Sequence, residues 1–162
     1  MMKPDINMKN WTIEDFPFKQ WELTKELPYR GKYVDNWFSN FAPSIIIVDN
    51  KEYASVENYF QACKATNESD HELIRTASIS DSKKLGRRIQ LMPTWEVDKY
   101  NFMFKALIAK CEQHPDFLTR LDEEDEIIEW TNWGDQIWGV DVKSKMGRNA
   151  LGIQLMYLRA NL

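Results

Sequence analysis

The sequence predicts a helix-dominated α+β fold with a few short strands, and three observations predict it. Apolar residues recur at helical spacing through most of the chain beyond residue 55. β-branched and turn residues mark only a hairpin and some short runs, and no repeat, low-complexity stretch or long linker divides the chain. At 162 residues the chain fits one compact domain. About 70% of the unfolded surface can be buried at this size, enough for a core without staples. One feature of the composition stands out: seven Trp, six Tyr and eight Phe. The indole N–H resists burial without a partner, so such an excess lines sites as well as filling cores.

Residues 1–30 are polar with interruptions at Trp11, Phe16, Phe18 and Trp21 and prolines at 17 and 28, which predicts an arm packed on a body of residues 31–162. Ser44 to Val48 is β-branched, Asp49 and Asn50 supply turn chemistry, and Lys51 to Tyr53 completes a hairpin. Ser55 then caps a helix with Val56, Tyr59, Phe60 and Cys63 on one face. Ser69 and Glu72 form a capping box ahead of Leu73 and Ile74, and Ser80 opens a short helix running through Leu85. Pro93 and Thr94 open the longest helix, which carries Trp95, Lys99, Phe102, Met103, Ala106 and Lys110 and must end before Pro115. A short helix follows to Leu121. The acidic run Asp122 to Glu126 reads as a solvated loop, Ile127-Ile128 and Gln136 to Trp138 as short strands, and the chain from about Asn149 as a helix with Leu151, Leu155, Met156 and Leu158 in its apolar stripe.

A net charge of −4, from 21 Lys and Arg against 25 Asp and Glu, excludes a chain that coats nucleic acid through counterion release, while leaving room for a local basic pocket. Cys63 and Cys111, with His71 and His114, are too few and too scattered for a zinc site. Both cysteines fall on apolar helix faces and read as small buried hydrophobes. No apolar run reaches membrane length and Met1 to Asn10 lacks a signal-peptide core, so a cytoplasmic location without membrane attachment is expected.

Three constellations bear on chemistry. Glu57 starts its helix with Gln61 and Lys64 one and two turns on; a carboxylate there suits stabilisation of a cationic transition state or orientation of water, although a solvated polar face explains the spacing more simply. The stretch Trp130 to Gly139 holds three tryptophans around Asp135, and Lys143 to Asn149 adds a basic, glycine-containing loop before a helix. Together they suit a stacked base and a phosphate, or equally a strand pair packed by Trp. Ser39 and Asn40, between Phe38 and Phe41, are able to hydrogen-bond a ligand or simply to make a turn. Trp95 is similarly balanced between stacking on a planar ligand and packing. Gly86-Arg87-Arg88 suits phosphate, though two exposed arginines need no special explanation.

Taken together, Phe38-Ser-Asn-Phe41, the helix segment Ser55 to Lys64, Trp95 with Lys99, Ala106 to Lys110, Asp135-Gln-Ile-Trp-Gly139, Gly147 to Gly152, Leu155-Met156 and Arg159 closely resemble the YbiA-like family, also called NADAR. The pieces occur in family order from about Tyr33 onward. The resemblance implies a helix-rich fold and an N-glycosidase that hydrolyses the bond between ribose C1′ and a nitrogen, acting on ribosylamino-pyrimidine phosphates of the riboflavin pathway or on ADP-ribose attached to guanine. It implies Glu57, Trp95 and Asp135 as functional residues, and Lys64 and Asn149 match further motif positions. Two departures stand out: Asn58 where relatives commonly carry His, and Val140 to Lys143 where they are richer in glycine.

Cleaving a C1′–N bond develops oxocarbenium character on the ribose, so a carboxylate beneath the sugar stabilises the cation and orients or deprotonates water. That work falls to Glu57. Asp135 either supplies the leaving nitrogen with a proton, binds ribose hydroxyls or shares the water. Trp95 or Trp138 would stack on the base, Ser39, Asn40 and Gly139 would line the substrate, and Lys64, Arg148 and the backbone near Asn149 would receive phosphate. Neither metal nor cofactor is needed. The expected partner is a small nucleotide or ADP-ribosyl substrate, with ADP-ribosylated nucleic acid a further option and the oligomeric state open. The rival readings are a module that binds ADP-ribose or a nucleotide without cleaving it, and a structural protein that kept the fold; two acids with Trp95 favour the enzyme.

Overall fold

The computed structural model describes residues 6, 9–22, 39, 40 and 42–162. Phe38, Phe41, Pro28 and the expected boundary near residue 30 lie outside them. The chain divides into two compact units, Asn36–Phe117 and Met1–Asp35 with Leu118–Leu162. The architecture is α+β, with six α-helices and short strands among the described residues.

In the first unit, β2 (Ile46–Val48) and β3 (Lys51–Tyr53) form an antiparallel hairpin that follows β1 (Lys19–Gln20) in the chain. Asp49 and Asn50 both take positive φ, 51° and 65°, as a two-residue turn matched to strand twist requires. Gln113 closes the free edge of β2: its side chain exchanges two 2.8 Å hydrogen bonds with the Ile47 backbone, accepting from N–H and donating to C=O.

Helix α1 (Val56–Ala62) starts at Ser55, whose Oγ accepts from the Asn58 amide at 3.2 Å. Helices α2 (Glu68–Arg75), α3 (Ile79–Gly86) and α4 (Trp95–Gln113) all pack on it, so each of its seven residues is buried. That arrangement decides the chemistry of the unit, because Glu57, Asn58 and Gln61 must then find partners inside the protein. Asn58 spans helices: its Oδ1 accepts from Ser55 Oγ, and its Nδ2 donates to the carbonyls of Ala77 and Ile74 beyond and at the end of α2.

The caps differ in detail from the expected ones. Asn67, not Ser69, opens α2 by accepting from the Asp70 amide, and Glu72 is turned instead to Arg75 and Lys51. An Asn at N-cap satisfies the orphan amide directly, which leaves Ser69 inside the first turn. Ser78 likewise caps α3 two residues before Ser80. Helix α4 stops at His114, as Pro115 demands, and α5 (Pro115–Asp122) follows. Cys63 and Cys111 are free thiols pushed up to about 12 by burial.

In the second unit a four-stranded sheet runs β1–β6–β5–β4, with β4 (Trp130–Thr131), β5 (Val140–Asp141) and β6 (Met146–Gly147); only the β4–β5 pair is parallel. Trp21 donates from Nε1 to the Gly147 carbonyl at 2.9 Å, and Trp11 stacks on Phe16 and meets Tyr157 edge-on. Helix α6 (Ala150–Asn161) closes the chain and buries Leu151, Leu155 and Leu158. Neither Ile127-Ile128 nor Gln136 to Trp138 is a strand. Their carbonyls have other work: Asn149 Nδ2 takes that of Ile127, and the amides of Arg148, Ala150 and Leu151 take those of Gln136, Ile137 and Trp138. The acidic run is largely exposed, and Arg159 of α6 binds the carbonyls of Leu121, Glu124 and Asp125. No helix among the described residues is long and apolar enough to cross a membrane.

Candidate active site

Glu57 sits in the second position of α1 and is 6% exposed, so the solvated-face reading of its spacing does not hold. Its amide donates to the Asn40 carbonyl at 3.2 Å, tying the Ser39-Asn40 turn to the start of the helix. Its Oε1 accepts from Gln61 Nε2 at 2.7 Å, one turn on. Burial raises the carboxyl above the ordinary carboxylate range, against the opposing pull of the Gln61 hydrogen bond and of the Lys83 and Lys64 charges. A carboxyl pushed toward neutrality and held by a donor is suited to take a proton or face a cation.

Lys64 stands one turn past Gln61. Burial lowers its ammonium, Glu57 pulls it back up, and Arg87, Lys83 and Lys99 lower it further. Four cations therefore act in one region of a chain whose net charge is negative. The Lys64 ammonium lies 5.8 Å from the ring centroids of both Phe60 and Trp95. Trp95 reaches this region because the Met92 amide donates to the Lys64 carbonyl at 2.9 Å, setting the start of α4 beside the end of α1. Trp95 itself is 5% exposed, with Phe102 stacked at 6.0 Å and Phe60 tilted at 5.0 Å, so its ring belongs to an aromatic cluster rather than a free-standing wall. Lys99 is buried and ion-paired with Glu96 at 2.6 Å.

Two polar atoms in this unit are buried without a hydrogen-bond partner among the described residues: Gln61 Oε1 and Asn40 Oδ1. Asn40 Nδ2 lies 3.5 Å from Met103 Sδ. The Ser39 carbonyl accepts from Lys110 Nζ at 3.4 Å, and burial lowers that lysine to about 8. Lys110 also borders a cavity of about 410 Å³ that includes His114 and Phe117 but neither Glu57 nor Trp95.

Asp135, Trp138, Gly139, Arg148 and Asn149 belong to the other unit. Asp135 Oδ1 accepts from the amides of Ile137 and Trp138 at 2.8 and 3.0 Å, an Asx-type turn that leaves Oδ2 without a hydrogen bond among the described residues. A Cβ on Gly139 would stand 2.4 Å from the Glu129 carbonyl, so that glycine permits close packing on β4. Arg148 donates to the Phe16 carbonyl at 2.8 Å. Asn149, in the left-handed region at φ 50°, spends its side chain on the Glu129 amide and the Ile127 carbonyl. The amides of residues 148–151 already bind carbonyls of residues 136–139, so these four backbone donors are taken. Lys83 is a residue that the sequence does not single out, and the approach of Gly86 to Gln61 is likewise invisible in it, since nothing in spacing shows α3 packing against the polar face of α1.

Residues 29–162 match the NADAR domain family. The chain is 39% identical to N-glycosidase YbiA of Shigella boydii serotype 4 over 130 residues, covering 77% of this chain and 80% of that one. It is 38% identical to N-glycosidase YbiA of Escherichia coli K12 over the same shares, and 32% identical to N-glycosidase Npun_R5314 of Nostoc punctiforme, covering 77% and 84%. The NMR structure of the E. coli protein YbiA superposes with a TM-score of 0.69 at 39% identity, covering 76% of each chain. These curated relatives are named as hydrolases of N-glycosyl bonds, and the match over most of the sequence together with the shared fold makes this chain a member of the NADAR family.

Proposed function

We propose that this protein hydrolyses the bond between ribose C1′ and a nitrogen of a nucleotide-like substrate. The observation that carries the reading is Glu57: a buried carboxyl raised by its surroundings, yet supplied with a donor from Gln61 and two nearby cations. Ionised, it stabilises the oxocarbenium character that grows on C1′ and takes a proton from the attacking water. The C1′–N bond breaks, water oxygen joins C1′, and the leaving nitrogen ends with a proton. Oδ2 of Asp135, without a hydrogen bond among the described residues, suits that carboxylate to accept from a ribose hydroxyl. Asn40 Oδ1, a buried acceptor with no hydrogen-bond partner among the described residues, is suited to a sugar hydroxyl. Lys64, with Lys83 and Arg87, supports a phosphorylated ligand, and Trp95 supports Lys64 from beneath. Trp138 remains the residue for stacking in the Asp135 loop. Arg148 and Asn149 serve that loop mainly by holding it.

The substrates that fit are ribosylamino-pyrimidine phosphates of riboflavin biosynthesis and ADP-ribose joined to guanine. Mass spectrometry of products from a panel of ribosylamino-pyrimidine phosphate, NAD, ADP-ribose and guanine-ADP-ribosylated DNA tests this. A free base with a ribosyl phosphate or ADP-ribose product is expected from at least one. Tight binding with no base released over long incubation would instead make the protein a nucleotide-binding module.

A further inference from the structure

Gln61 donates to Glu57, and its surroundings are unusual for a structural glutamine. It is 4% exposed, Nε2 donates to Glu57 at 2.7 Å, and Oε1 is buried with no hydrogen-bond donor among the described residues. The reason Oε1 fits at all is Gly86, at the end of α3: a Cβ there would stand 2.0 Å from Oε1 and 3.0 Å from Cδ. A carboxamide with one end unsatisfied is not kept for stability alone. Its orientation is set by the other end. Turned over, Oε1 would face the Glu57 carboxylate and repel it, so the Nε2 hydrogen bond sets the orientation that favours the ionised acid, and the space at Gly86 accommodates the other end.

We propose that Gln61, seated against Gly86, is the positioning residue that fixes the Glu57 carboxylate in its reactive orientation and ionised state. The inference rests on Glu57 being the reacting acid, and it extends the working site into α3. Charged groups near the Glu57 carboxyl are Lys64 on its own helix and Lys83 on α3. Lys99 of α4 is engaged with Glu96, and His71 of α2 with Tyr53 and Ala62, so none of these takes over the hydrogen bond that Gln61 makes.

The test uses Gln61→Met, which removes the donor at similar volume, and Gly86→Ala, which keeps both Glu57 and Gln61 but crowds the Gln61 carboxamide and is at least as favourable to the helix. Both are expected to lower kcat by about 10²-fold with little change in KM, the cost of a misplaced reacting group. Both should also move the acid limb of kcat/KM to higher pH, because a donor that lowers the Glu57 carboxyl is lost. Titration of the Glu57 carboxyl by ¹³C NMR separates this inference from the hydrolase reading. An upward shift in both variants supports positioning even if the wild-type protein cleaves nothing. An unmoved titration, or unmoved kcat and acid limb in Gln61→Met, overturns it. If Gly86→Ala fails to fold, Gln61→Met decides.

Discussion

At Glu57, burial and charge work against each other, and the sign of the balance is measurable. Its folded-state carboxyl is raised mainly by desolvation, so between the ordinary value and the raised one the folded protein keeps a proton that the unfolded chain has released. Stability therefore falls as pH rises through that window. Glu57→Gln has no such proton to keep. The variant should match wild-type Tm near pH 4 and exceed it by a few degrees near pH 7.5, as thermal shift at the two pH values will show. A reacting acid that its own fold destabilises is the usual trade of stability for activity. The same residue shows why spacing alone misleads. Glu57, Gln61 and Lys64 recur as a solvated helix face would, yet the three helices packed on α1 leave Glu57 and Gln61 buried and Lys64 half-buried.

Helix α1 is legible where side chains act locally and opaque where they act across elements. Ser55 as N-cap, the Asp49-Asn50 turn and the end of α4 at Pro115 follow from chemistry within a few residues, and all three are present. The strands expected at Ile127-Ile128 and Gln136 to Trp138 fail because their carbonyls serve Asn149 and the start of α6, a partnership between distant segments. The glycine of the loop before α6, Gly147, serves a close backbone approach that spacing does not show: a Cβ there would stand 2.3 Å from the Gly139 carbonyl. Asn58 is an inter-helix clasp: it joins Ser55 to the carbonyls of Ile74, near the end of α2, and of Ala77 beyond it. Replacing it with Leu leaves buried partners unsatisfied and should cost about 2–3 kcal/mol or more in urea unfolding, since each abandoned group carries its own penalty.

Across the whole molecule, the family match begins at residue 29, while β1 at Lys19–Gln20 already pairs with β6 and Trp21 already bonds Gly147. The segment ahead of the matched region thus contributes a strand to the sheet. The aromatic excess divides by position: Trp11, Phe16 and Trp21 fill a core, and Phe60, Trp95 and Phe102 form the cluster beside Lys64. The central claim is that Glu57 carries the cleavage, and turnover by Glu57→Gln tests it most directly. With the fold verified and product release followed by mass spectrometry on the substrate the wild-type protein cleaves best, kcat should fall by about 10²–10⁴-fold, the range for losing a general base. Wild-type kcat in that variant would contradict the account.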